Sequence, residues 1–250
     1  LLRERRDSIF GILNGIDDNV WNPDTDESLT QTFDAESLRM RTVNKAALQR
    51  EVGFHARQDV PLLGMISRLD RLKGLDILIP GLESLLQRED VQIVILGTGA
   101  QEYEEQLREF QVRFPERVRT FIKFDDRLAR RIYGGIDLFM LPSLREPGAL
   151  GQMIAMRYGA LPVVRATGGL ADTVIDADAQ PQRGTGFVFE PYTVEAFEGT
   201  LLRALVAYRD PPRWQILQRR AMEMDFSWSA SARAYLDLYR RVQSVHQRTA

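Results

Sequence analysis

Arg68 and Lys73 lie in Ser67-Arg68-Leu69-Asp70-Arg71-Leu72-Lys73-Gly74, directly after an apolar run. A guanidinium offers a fixed fork to phosphate oxygens and an ammonium adds a mobile point charge, so the two together suit a diphosphate. Without a ligand the same loop reads as a solvated basic turn. Gly97-Thr98-Gly99 follows a second apolar run and would let the backbone turn tightly beside a ligand. Neither loop spells the dinucleotide fingerprint G-x-G-x-x-G, which argues against a nicotinamide enzyme. A third stretch, Glu146-Pro147-Gly148-Ala149-Leu150-Gly151, sets one carboxylate before a proline and several small residues. Here Pro147 is expected in the first turn of a helix over 148–158, whose free amides would face an anion. Glu146 is then either held beside that anion or merely complements the helix dipole.

Such loops need a frame that converges them. An apolar run without alternation at 61–66 predicts a strand buried on both faces, and further strands are predicted at 92–96, 136–141 and 161–164, with a weaker one at 118–123 and a last short one at 184–189. Helical spacing predicts helices over 37–52, from 75 onward with a kink or cap at Pro80-Gly81, and over 101–110, 128–133, 193–209, 213–222 and 230–247. The chain opens with a charged, helical-looking piece, a strand candidate at 10–13 and a turn-rich region over 14–24. This alternation predicts an α/β, doubly wound parallel sheet of Rossmann type in a single domain over 1–250. Ligands of such sheets bind at the carboxyl ends of the strands.

Composition narrows the function. With 250 residues, 44% hydrophobic and 27% charged, the chain can bury a full core. No run approaches the roughly 18 apolar residues of a membrane helix, and the first residues lack the regions of a secretory signal, so an intracellular location is expected. The absence of cysteine excludes disulfides and thiolate chemistry, and His55 and His246 alone do not make a histidine-rich metal site. A formal charge of −2 without a strongly basic face argues against nucleic acid as a partner.

The spelling of residues 143–174, SLREPGALGQMIAMRYGALPVVRATGGLADTV, resembles the donor-site signature of bacterial glycogen synthases and plant or algal starch synthases. These are retaining glucosyltransferases of the GT-B type, and the resemblance runs over nearly the whole chain. It implies the C-terminal half of a GT-B enzyme, with 1–30 as an interdomain junction and 229–250 as a helix facing an N-terminal domain. It implies that Arg68 and Lys73 hold the donor diphosphate and that Glu146 contacts the transferred glucose. The amides of Ala149, Leu150 and Gly151 would contact the donor. Gly97 and Gly99 would lie near the nucleotide, Phe124 against its base, and Asn14 at the interdomain cleft. Thr167-Gly168-Gly169-Leu170-Ala171-Asp172 is characteristic of the family and is expected to be structural. Asp225-Phe226-Ser227-Trp228 resembles the closing motif, where Ser227 or Ser229 would cap the last helix and Tyr235 and Tyr239 would pack. One departure stands out: the family reads E-P-x-G-L, whereas Ala149 stands here before Leu150, which implies an altered loop.

The implied reaction transfers glucose from ADP-glucose to the 4-hydroxyl of an α-1,4-glucan, with no metal and no further cofactor. The fragment alone is expected to bind nucleotide but show little transfer. Other readings are a transferase using a donor such as UDP-glucose, or a silent nucleotide- or glucan-binding module. The implied location is a bacterial cytoplasm or a plastid stroma.

Overall fold

A computed structural model describes residues 8–249, with side chains described through Ser244. The charged opening piece predicted to be helical, for its first seven residues, and the His246 side chain lie outside the described residues. Six strands form one sheet: β1 (Leu62–Ile66), β2 (Gln92–Gly97), β3 (Val118–Ile122), β4 (Leu138–Leu141), β5 (Leu161–Arg165) and β6 (Phe187–Phe189). All pair in parallel, in the order β3-β2-β1-β4-β5-β6. Nine α-helices accompany them among the described residues: α1 (Arg41–Glu51), α2 (Leu75–Arg88), α3 (Gln101–Arg113), α4 (Asp126–Gly135), α5 (Gly151–Arg157), α6 (Gly169–Thr173), α7 (Val194–Tyr208), α8 (Pro211–Met222) and α9 (Trp228–Thr249). Helix α2 packs with α3 and α7, while α4 packs with α1 and α5, and α5 with α8. Helices thus cover both faces, and apart from Gln92 the central strands carry no polar side chain because neither face meets water. No helix among the described residues is long and apolar enough to cross a membrane.

Strand order reverses between β1 and β4, where Leu63 pairs with Leu138 and Gly64 with Phe139. Strands pointing the same way but wound in opposite directions splay their loops apart at that point, which opens a crevice at their carboxyl ends. Local chemistry sets the element ends. Asp125, Thr193 and Asp210 accept amides of the first turns of α4, α7 and α8, and Pro211 starts α8 two residues before the expected boundary. Helix α2 runs unbroken through Pro80, and Gly81 leaves room for the Phe197 ring of α7.

Several expectations fail here. The 10–13 strand does not form. Leu13 instead accepts from Ser231 Oγ at 2.7 Å, and Ile16 donates to the Phe226 carbonyl at 2.8 Å, tying this segment to the start of α9 by a single bridge. Ser227 caps α9 by accepting from Ala230 N at 3.2 Å, as expected, while Tyr235 and Tyr239 are exposed in this chain with ring centroids 6.3 Å apart.

The apolar spacing of α1 is only partly kept: Leu48 is buried, but polar residues share its inner face. Val43 is exposed, whereas Arg41, Asn44, Lys45 and Gln49 are buried. The cause is the neighbouring end of the sheet, which presents a carboxylate and helix-terminal carbonyls that need donors. Lys45 Nζ lies 2.7 Å from Asp137 Oδ2, and the same oxygen accepts from Leu62 N at 2.8 Å. Lys45→Met would leave Asp137 buried without its counter-ion. The expected cost is about 3 kcal/mol, read as a lower denaturant midpoint, and a Lys45→Met/Asp137→Leu pair should recover part of it.

The β6 end depends on Asp176. Burial opposes its charge, yet hydrogen bonds from Ala179 N and Val188 N, with the Arg203 guanidinium, hold its carboxyl below the ordinary carboxylate range. A depressed carboxyl pKa stabilises the fold above the unfolded value and loses that contribution as pH falls through the folded one. Stability should therefore decline below about pH 4, and Asp176→Asn should shrink that decline in unfolding curves measured across acid pH.

Candidate active site

Loops after β1, β2 and β4 meet because glycines let their backbones touch. Gly74 takes φ +79°, and a Cβ there would overlap the Pro142 carbonyl, so the turn after β1 rides directly on the loop after β4. Leu144 N donates to the Leu72 carbonyl at 2.9 Å across this contact, and Asp70 Oδ1 accepts from Lys73 N at 3.2 Å, closing the turn. Gly97 and Gly99 bring the loop after β2 against the carbonyls of Ser67 and Leu69 in the same way.

This clamp sets Lys73 Nζ 2.5 Å from Glu146 Oε2, and Ser143 Oγ donates to the same oxygen at 3.1 Å. The Lys73 side chain is 16% exposed and that of Glu146 6%. Neither is a solvated surface charge. Read separately in sequence, one for phosphate and one for sugar, they form a single pre-set ion pair. The other Glu146 oxygen has no hydrogen-bond partner among the described residues, and Glu146 lies behind Lys73, outside the cavity lining.

A cavity of about 490 Å³ opens beside the pair, over the ends of Ile66, Leu96 and Leu141. Arg68, Gly97, Phe124, Ala149, Leu150 and Gly151 all line it. Arg68 is a rim charge: its side chain is 77% exposed and reaches only Asp70, at 3.6 Å. Phe124 is 90% exposed at the mouth and offers an open aromatic face. Gly99 does not line the cavity, and its place is the packing against Leu69. Asn14 is exposed and outside the cavity.

The loop holding Glu146 departs from its predicted form. Pro147 does not start the helix, which begins at Gly151 with Leu150 as its N-cap residue. The Glu146 carbonyl instead accepts from Gly169 N at 3.0 Å. Gly168, at φ +49°, permits that contact, since a Cβ would overlap the Glu146 carbonyl. The glycine hexapeptide is therefore structural in a specific way: it sets the backbone of Glu146. Ala149 introduces no strain, because the positive φ values belong to Gly53, Gly74, Gly159 and Gly168.

Four further residues were not singled out from the sequence. Ser143 is fully buried under Glu146, and Lys123 lines the cavity 2.8 Å from Asp125. Tyr133 lines it too, with its hydroxyl beside Gly151, and burial pushes its ionisation far above neutral pH. Its spacing from Ala129 on one face of α4 was the available signal. Trp21 forms another wall, with the Arg130 guanidinium 4.4 Å from its ring centre. Nothing local to residue 21 foretells a partner on α4.

A family model described as "Glycosyl transferases group 1" matches residues 50–216, from the end of α1 into α8. The chain belongs to this glycosyltransferase family. The match includes Arg68, Lys73, Phe124 and Glu146 and leaves out Trp21. Among curated relatives of this group 1 domain, the glycogen synthase of Syntrophotalea carbinolica is 46% identical over 246 residues, covering 98% of this chain and 51% of that protein. The glycogen synthase of Moorella thermoacetica is 48% identical over 241 residues, covering 96% and 49%. The chain thus spans about half the length of these relatives. A solved structure, the catalytic domain of starch synthase IV from Arabidopsis thaliana bound to ADP and acarbose, is 38% identical with a TM-score of 0.89, covering 96% of this chain and 50% of that one. The C-terminal domain of a group 1 glycosyltransferase (LpcC) from Francisella tularensis, at 16% identity and TM-score 0.57, shares the fold over 83% of this chain and 95% of its own.

Proposed function

We propose that this domain is the donor-binding half of a retaining glucosyltransferase, taking glucose from ADP-glucose to the 4-hydroxyl of an α-1,4-glucan. The observation that carries the reading is the Lys73–Glu146 pair at the carboxyl ends of β1 and β4, between an open aromatic face and an apolar floor. Relatives named glycogen synthase and a starch synthase bound to ADP and acarbose support the choice of nucleotide and acceptor. Lys73, Arg68 and the backbone around Ala149 to Gly151 stabilise charge developing on the departing diphosphate, which is electrostatic preorganisation. Glu146 contacts the sugar, and Phe124 stacks on the base. Transfer proceeds on one face of the sugar, with the diphosphate helping to remove the acceptor proton, and the scheme needs no metal or second carboxylate. Residues 1–250 act as one domain, and the acceptor side comes from an N-terminal domain in the complete protein.

Calorimetric titration with ADP, UDP and AMP tests this. Saturable ADP binding that weakens with AMP, with UDP and in Lys73→Ala is expected, together with negligible transfer by the chain alone. Absence of any nucleotide binding, or a preference for UDP, would remove the ADP-glucose assignment. Phe124→Ala should leave the melting temperature unchanged, because the ring is exposed, while weakening ADP binding by about tenfold, the worth of one base–aromatic stack.

A further inference from the structure

At the opposite end of the sheet from the donor cleft, a second cavity of about 420 Å³ opens between α1, the end of α7 and α8. At its base lies Arg41, 5% exposed. Nε donates to the Tyr158 carbonyl at 2.7 Å, and Nη2 donates to the carbonyls of Ile136 and Tyr133 at 2.5 and 3.3 Å. Among the described residues no carboxylate pairs with this guanidinium, and Nη1 has no hydrogen-bond partner. Burial lowers its pKa to about 10, against the attraction of Asp137, so it stays charged at neutral pH.

The neighbouring cation shows what a settled charge looks like here. Lys45 Nζ has Asp137 at 2.7 Å, the Tyr208 hydroxyl at 2.7 Å and the Gln58 carbonyl at 3.2 Å. Asp137 is thereby spent on Lys45, and Arg41 remains a surplus. Carbonyls at the carboxyl ends of α4 and α5 satisfy Nε and Nη2, while Nη1 keeps a donor for an anion that enters the cavity. Arg39, exposed at the rim, likewise pairs with no carboxylate among the described residues. The other rim charges are matched, Arg209 by Glu89 and Asp59 by Arg57. Trp214 and Tyr208, edge to face at 5.2 Å, supply an apolar wall. Two unmatched cations beside an aromatic wall fit a dianion carried on an organic body better than a monocarboxylate.

We propose that this cavity is a binding site for a small organic phosphate, separate from the donor cleft. Arg41 Nη1 and Arg39 take the phosphate oxygens, and the Tyr208–Trp214 wall covers the organic part.

The chain holds three tryptophans, so Trp21→Phe with Trp228→Phe leaves buried Trp214 as the reporter inside this cavity. Phenyl phosphate, inorganic phosphate and benzoate are titrated into that chain. A saturable change in Trp214 emission is expected, strongest in affinity for phenyl phosphate, weaker for phosphate and weakest for benzoate. Arg39→Glu and Arg41→Met should each weaken phenyl phosphate by about tenfold or more, the worth of one charge-assisted hydrogen bond. Because Arg39 is exposed, its variant folds and decides the matter even if Arg41→Met does not. Lys73→Ala, which cripples the donor cleft, should leave the response intact. No saturable response, a response indifferent to Arg39→Glu, one lost in Lys73→Ala, or benzoate binding as tightly as phenyl phosphate would each overturn the proposal.

Discussion

Lys73→Ala in the complete protein, on the proposed function, is expected to lower turnover by about 10²–10³-fold, the usual loss when one preorganised charge partner of the departing group is removed. The same change strips Glu146, with 6% of its side chain exposed, of its cation. Breaking a largely buried pair from one side costs about 3 kcal/mol, so a lower melting temperature should accompany the loss. The two effects separate in Lys73→Met/Glu146→Gln. With both charges gone, Ser143 Oγ can still hydrogen-bond the amide, and stability should return towards the parent while turnover stays low. A double variant that regained turnover would show the pair to be a structural strut only.

Gly168→Ala is expected to be the second severe lesion, although Gly168 carries no functional group. Its φ of +49° with ψ −135° lies outside the left-handed helical well, and strain in such sparsely populated backbone regions costs an L-residue about 1–3 kcal/mol. The added methyl would also overlap the Glu146 carbonyl, so the loop must move and take the carboxylate with it. A displacement of about 1 Å at a reacting centre can cost about 10²-fold in rate, so turnover should fall well beyond what the melting temperature suggests. Gly148→Ala is the control for stability. That position has no atom within 4 Å of a new Cβ and no positive φ, so its melting temperature should match the parent. Equal losses of stability in the two variants would remove Gly168 from its role in setting Glu146.

Much of the frame was legible in the chain because a parallel sheet leaves a strong local record. Strands covered on both faces read as unbroken apolar runs, and Gln92 to Leu96 or Leu161 to Val164 needed no neighbour to be recognised. Where an element's face was decided by a distant group, the local record misled. The polar inner face of α1 exists because Asp137 and the carbonyls of α4 and α5 lie against it, so apolar spacing over 37–52 finds the helix but not the burial of Lys45 or the exposure of Val43. Pro147 misplaced the start of α5 for a similar reason: the backbone before it is held by Gly169 N, which donates to the Glu146 carbonyl from a distant loop.

By itself the sequence determined the parallel α/β architecture, the three loops that meet at the site and the kinds of charge they bring, since residue type and spacing are properties of the chain alone. Only the tertiary structure decided that Lys73 and Glu146 are one ion pair, that Trp21 and Tyr133 wall the cavity, and that Gly168 sets the backbone of Glu146. Each of those contacts joins residues far apart along the chain. Their distance is set by strand order and backbone approach, which no local pattern encodes.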